Sequence, residues 1–202
     1  MLANPYIIHL EDCHERDDVK EHLEKNFGGQ EIPFYPAIRI DTNISIIWKS
    51  PYTGYKPMLA GAVGCLESHI ALYKSNQRGI LTVFEDDAFV RDQNELNDFI
   101  SLVPKDYDII LLGYNKIVNG NIENGIYNIK RFYGTHAMIL TEHVRQLFIE
   151  KYETQKPFAE PVDWLWSHII EDNNLKVYAP LIPPIIQKPG LVSQITGVCR
   201  QL

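Results

Sequence analysis

The sequence predicts an α/β domain built on a largely parallel or mixed central sheet. Three features point there. Short, strongly apolar segments at residues 6–10, 81–84 and 107–112 have the length and composition of buried strands. Segments with apolar residues at helical spacing alternate with them through the first half. Gly28-Gly29, Gly79 and Pro104 punctuate the joins.

Taken in order, residues 6–10 form the opening strand. The polar residues 11–18 lead to Val19, Leu23 and Phe27, which mark a helix closed by Gly28-Gly29. Residues 32–40 read as a second strand, which Pro33 and Pro36 confine to an edge or an irregular path. Residues 41–56 carry Pro51, Gly54 and several aromatics and read as a long loop, suited to closing over a ligand. Residues 59–74 read as a helix with Ala60, Gly61, Gly64, Ser68 and Ala71 on one side. After the strand at 81–84, Leu96, Phe99 and Ile100 mark another helix, and the strand at 107–112 ends in Gly113. Residues 114–130, rich in Asn and Gly, read as a loop or a loose hairpin, and residues 132–140 as strand, turn, strand. Thr141 caps a helix carrying Val144, Leu147, Phe148 and Tyr152; Pro161 starts another over residues 162–171. Residues 176–179 form a strand before a proline-rich tail. No repeat, low-complexity tract or linker interrupts the chain, so residues 1–202 are expected to be a single domain.

A net charge of −7 argues against nucleic acid or an anionic membrane as the main partner, since both need a basic face. Cys13, Cys65 and Cys199 make an odd, widely spaced set, a poor disulfide framework. No signal peptide is seen, and no window approaches the ~20 apolar residues of a membrane span. A cytoplasmic location is expected. The oligomeric state is left open, a homo-oligomer included.

The chemistry is concentrated where the strand at 81–84 runs into Glu85-Asp86-Asp87. Acids this close repel unless a cation sits among them. A solvated turn is the competing reading. In α/β sheets the ligand crevice lies at the carboxyl ends of the strands, and these acids, like residues 9–16, sit at such an end.

Eight segments stand in order along the chain: Cys13-His14-Glu15-Arg16, Tyr35-Pro36-Ala37, Gly61-Ala62-Val63-Gly64-Cys65-Leu66-Glu67-Ser68-His69, Phe84-Glu85-Asp86-Asp87, Pro104-Lys105-Asp106-Tyr107-Asp108, Gly134-Thr135-His136-Ala137, Pro161-Val162-Asp163, and Pro183-Pro184 with Gln187. In these segments the chain resembles glycosyltransferase family 25, the group of bacterial lipooligosaccharide galactosyltransferases and collagen hydroxylysine galactosyltransferases. Arg39-Ile40-Asp41-Thr42 departs from the family's usual Asp-Gly.

The resemblance implies a GT-A fold and inverting transfer of a hexose, galactose or glucose, from a UDP-sugar to a glycan or protein hydroxyl. It implies Mn²⁺ or Mg²⁺, both of which take hard oxygen ligands. Glu85 and Asp87, on one side of an extended chain, are the expected metal ligands, with Asp86 turned away. Asp163 is the candidate base and Glu160 the fallback. His9, Arg16, Ala37, His136 and Gln187 are the candidate donor-binding residues, with Arg16 alternatively a surface arginine paired to Asp12 or Glu15. His69 reads as a core or near-site histidine, and Tyr55, Trp164 and Trp166 as either sugar-stacking or core aromatics. Two other classes stay open: a sugar-nucleotide binder without turnover, and a metal-dependent phosphate-ester enzyme. The latter is disfavoured by the lack of a P-loop-type motif.

Overall fold

A computed structural model describes residues 2–40, 47–50, 54–155 and 160–191, with side chains at 2–40, 58–155 and 160–191. Twelve strands run in chain order among these residues. They are β1 (Pro5–His9), β2 (Phe34–Pro36), β3 (Ile47–Ser50), β4 (Gly54–Pro57), β5 (Leu81–Glu85), β6 (Ala88–Val90), β7 (Ile109–Gly113), β8 (Lys116–Glu123), β9 (Ile126–Tyr133), β10 (Ala137–Leu140), β11 (Val177–Pro180) and β12 (Ile185–Gln187). The helices are α1 (Asp18–Asn26), α2 (Ala60–Ser75), α3 (Gln93–Leu102), α4 (Glu142–Gln155) and α5 (Val162–Asn173), with a 3₁₀ turn at His14–Arg16.

Eight strands form the main sheet in the order β2-β1-β5-β10-β7-β11-β9-β8. β1 is parallel to β2 and β5, and β7 to β11; β10 runs antiparallel between β5 and β7. The sheet is therefore mixed and mostly parallel. Alternation along the buried strands splits the core between its faces. Ile8, Val83, Leu111 and Met138 pack with residues of α2, α4 and α5, whereas Ile7, Phe84, Leu112 and Ala137 pack with residues of α1 and α3. Burial on both faces is why β5 and β7 read as unbroken apolar runs.

The structure refines three expectations. Only Phe34–Pro36 of the second segment pairs, and it does so at the sheet edge, where its prolines are tolerated. Residues 41–56 are not all loop, because the backbones of β3 and β4 pair as an antiparallel hairpin. Residues 114–133 form a long hairpin, β8–β9, whose turn at Asn124 (φ 52°) and Gly125 (φ 82°) places both residues in the left-handed region a tight two-residue turn requires. Two short strands, β6 and β12, pair beside the main sheet and bring Gln187 opposite Ala88.

Candidate active site

The carboxyl ends of β1, β5 and β7 and the start of β10 meet at one edge of the sheet. The three acids leave β5 there and part company at once. Glu85 stays at the strand end, half-buried, and its Oε1 accepts from the Thr135 hydroxyl (2.6 Å) and from His69 Nε2 (3.3 Å). Burial opposes its ionisation, but the bonds from His69 and Thr135 outweigh it and hold the carboxyl at about 2. Asp86 turns toward β1. It pairs with Arg16, accepts from the Leu10 N–H (3.3 Å) and lies 3.2 Å from His9 Nδ1. Asp87 is buried; the Gln187 amide donates to it (3.3 Å) and Arg16 stands 3.9 Å away. The Lys188 N–H bonds the Asp87 carbonyl (2.6 Å) and ties β12 to this turn.

Arg16 is no surface residue: it is 3% exposed beside Asp86, and Asp12 pairs with Arg39 instead (2.6 Å). Four carboxylates, of Glu85, Asp86, Asp87 and Asp163, raise the pKa of the Cys65 thiol, which burial already pushes well up. The edge is thus a region of negative potential that one buried arginine only partly offsets.

Two cavities open along it. The first, about 200 Å³, is lined by Leu10, Arg16, Ala37, the segment at 38–40, one face of α2 and all three acids. Gly64 lets the chain pass close to α2, since a Cβ there would meet the Ile38 carbonyl oxygen at 2.5 Å. Ser68 fixes this approach, accepting from the Ile38 N–H (2.8 Å) while its hydroxyl donates to the Gly64 carbonyl (2.6 Å). The second cavity, about 400 Å³, is lined by Met58, Asn115, Thr135, Asp163, Trp164 and Gln187 among others. Glu85 and Cys65 line both.

Asp163 occupies the first turn of α5, after Pro161. Its Oδ2 accepts from the Gly134 N–H (3.2 Å) and its Oδ1 from the Trp164 N–H (3.0 Å). Burial nevertheless raises its pKa, and the nearby Glu85 adds to the shift. Glu160 is occupied elsewhere, 2.7 Å from His168.

The edge thus brings together Glu85, Asp87, Arg16, Ala37, Gln187 and Asp163, and leaves two expected donor-binding side chains behind the walls. His136 is fully buried against Gly113, its Nε2 3.2 Å from the Ile185 carbonyl oxygen, and it lines neither cavity. Its contribution to the edge is its carbonyl, which accepts from the Glu85 N–H (3.0 Å). His9 is spent between Asp86 and Asp17 (3.2 Å each), stacked on Phe34 at 4.4 Å. In this structure both rings stand behind the cavity walls and brace the residues that line them. Trp166 is likewise core, packed 4.4 Å from Phe148, whereas Trp164 lines the second cavity. The Tyr55 side chain and Cys199 lie outside the described residues.

Sequence reasoning gave no role to Cys65 or Thr135 and left His69 uncommitted. The available signal was the spacing of Cys65, His69 and Tyr73, which puts all three on one face of α2.

A family model described as glycosyltransferase family 25 (LPS biosynthesis protein) matches residues 2–166. No curated protein sequence matches the chain. Among solved structures, a glycosyltransferase involved in glycosylation of the major capsid of PBCV-1 superposes with a TM-score of 0.50 at 8% identity, covering 88% of this chain and 81% of that one. The Drosophila β-1,4-galactosyltransferase 7 complexed with manganese, UDP-Gal and xylobiose gives a TM-score of 0.47 at 9% identity, covering 88% and 64%. A UDP-glucose pyrophosphorylase complexed with UDP-glucose gives 0.46 at 14%, covering 87% and 71%. The fold is of the GT-A type, as in the capsid glycosyltransferase.

Proposed function

The chain belongs to glycosyltransferase family 25, and we propose that it moves a hexose, galactose or glucose, from a UDP-sugar to a hydroxyl of a glycan or protein, with inversion. The observation that carries this reading is the position of Glu85. It stands in the wall shared by two cavities, with Asp87 on the first and Asp163 on the second. The nucleotide fits the first cavity, under Ala37 and beside Arg16. The sugar and acceptor fit the second, against Trp164 and Asp163.

The carboxylates of Glu85 and Asp87 offer hard oxygen in a negative field, which suits Mn²⁺ or Mg²⁺, and the Gln187 amide orients Asp87 by donating to it. Glu85 and Asp87 would hold the cation, which when bound would supply positive charge against the departing diphosphate. The chain's own residues do the rest. Asp163 takes the proton of the acceptor hydroxyl as that oxygen bonds the anomeric carbon; the bond to UDP breaks, and UDP leaves with the electron pair. The raised pKa of Asp163 makes it a stronger base than an exposed aspartate. The Gly134 and Trp164 N–H groups fix its carboxylate, and Arg16 offsets the charge of Asp86 so that the turn stays folded without ligand.

The test is a thermal-shift panel of nucleotide sugars with and without Mn²⁺, followed by transfer or slow donor hydrolysis. A donor at a hundredfold over its Kd adds about 2.7 kcal/mol, or roughly 5–10 °C for a chain of this size. Asp163→Asn should keep that shift and lose turnover by about 10²–10⁴-fold, whereas Asp87→Ala should lose the Mn²⁺-dependent part of the shift. Turnover indifferent to metal would sink the cation role, and a melting shift with no product from any acceptor would leave a binding protein.

A further inference from the structure

We infer that Cys65, His69 and Glu85 form a second, thiophilic metal site that takes Zn²⁺ in preference to the hard cation assigned to Glu85 and Asp87. The site lies at the same edge but draws on different chemistry. Cys65 and His69 stand at i and i+4 on α2, the spacing by which a helix offers two ligands to one ion. Glu85 reaches them from β5, and one donor atom from each residue lies within 4.8 Å of the other two. Around a tetrahedral zinc, ligand atoms stand roughly 3.3–3.8 Å apart for bonds of about 2.0–2.3 Å. The His69–Glu85 pair, at 3.3 Å, already has that separation, and the Cys65 sulfur lies within 4.8 Å of both.

The surroundings favour the ion. His69 is fully buried and its Nδ1 is 2.8 Å from the Tyr73 hydroxyl, so Nε2 is the nitrogen aimed at Glu85 and Tyr73 is the outer partner that orients the ring. Zinc with one thiolate and one carboxylate is electrically neutral, which suits a buried position. The second cavity reaches both Cys65 and Glu85 and leaves room for a water or a ligand as fourth donor. As sulfur bonds zinc the Cys65 thiol gives one proton to solvent, and the His69 ring proton moves from Nε2, where it is donated to Glu85, to Nδ1, where it is donated to the Tyr73 hydroxyl oxygen, so one proton leaves in all. Thiolate and imidazole together select zinc or cobalt over Mn²⁺ and Mg²⁺. Zinc would also pull Glu85 from the donor's cation and antagonise transfer; this consequence alone rests on the proposed role of Glu85.

Cobalt(II) is the probe, used with the full chain. One equivalent should produce the intense visible bands of four-coordinate Co²⁺ and a near-ultraviolet thiolate-to-cobalt charge-transfer band. Zn²⁺ should abolish both, and a large excess of Mn²⁺ should not. Cys65→Ser should remove the charge-transfer band, and Tyr73→Phe should weaken binding by about 10–100-fold. If Cys65→Ser does not fold, proton release by the unaltered protein decides: one proton per Zn²⁺ supports the site and none overturns it. No charge-transfer band, or a band that survives Cys65→Ser, also overturns it. These spectra do not depend on turnover, so they stand apart from the test of glycosyl transfer.

Discussion

The two ends of β5 each bury an arginine, and the two arginines do opposite jobs. At the amino end Arg145 is wholly buried and donates to three backbone carbonyls, of Asn76 (3.0 Å), Leu140 (2.9 Å) and Gly79 (2.8 Å). These belong to the turn entering β5 and to the end of its neighbour β10. At the carboxyl end Arg16 meets carboxylates, Asp86 directly and Asp87 at 3.9 Å. Burial pushes the Arg145 pKa down and is the largest influence on Arg16 too, but there the acids outweigh it and raise the pKa. One arginine closes the fold by saturating oxygens that cannot titrate. The other stabilises a concentration of charge that a folded chain would otherwise avoid, as the cation site proposed for Glu85 and Asp87 requires.

The most direct way to break the comparison is Arg145→Met. It leaves the buried Leu140 carbonyl and the part-buried carbonyls of Asn76 and Gly79 without this donor, at up to about 3 kcal/mol each. The expected loss is about 4–6 kcal/mol, or roughly 10–20 °C in melting temperature. Denaturant unfolding from pH 5 to 8 should show a deficit independent of pH, because no partner of Arg145 titrates. A deficit that changes steeply with pH would mean that the carbonyl description is wrong.

Arg16→Met should cost less. Removing one partner of a buried pair costs about 3 kcal/mol. Denaturant unfolding of the two variants side by side ranks the losses, and a deficit for Arg16→Met equal to or above that of Arg145→Met would make Arg16 as structural as Arg145. Donor binding should weaken as well, since Arg16 lines the first cavity.

The sequence exposed the carboxyl end far better than the amino end. Three consecutive acids after an apolar strand are conspicuous, and the strand-end rule places them in a crevice. The parting of the acids comes from the turn at Asp86-Asp87, which sends Asp86 to Arg16 and β1 and Asp87 to Gln187. Arg145 shows no such mark, because its partners are main-chain carbonyls and any residue supplies those. The direction of β10 was equally hidden: four apolar residues carry no arrow, and only the β8–β9 hairpin and the return through Gly134 set it antiparallel. His9 and His136 looked like ligand contacts because a histidine near a glycine or at a strand end has the right chemistry. Where each ring sits depends on a partner far along the chain, Asp86 for His9 and Ile185 for His136, with the nearer Asp17 on the other nitrogen of His9.

The smallest expected effect tests whether acid reaches the two ends unequally. Beside the site, His22 stacks on Phe89 at 4.0 Å and its Nε2 accepts from the Val90 N–H (3.0 Å), pinning β6 just beyond Asp87. An accepting nitrogen must be unprotonated, and burial holds the His22 pKa below its usual 6.5. A depressed histidine contributes stability that is whole above the unfolded pKa and is lost as pH falls toward the folded one. His168 works the other way: Glu160 raises its pKa, so its contribution is present below 6.5 and fades as pH rises through the folded value. The two partly cancel in the parent, so the difference between parent and His22→Gln is the informative quantity. Gln can accept the same N–H without titrating. Relative to His22→Gln, the parent should lose no more than about 2–4 °C between pH 7 and pH 5, with hydrogen exchange quickening at Phe89 and Val90 rather than at Gly79 and Leu81. Exchange that quickens equally at both ends of β5 would mean that the strand responds as one unit and that its ends are not separately tuned.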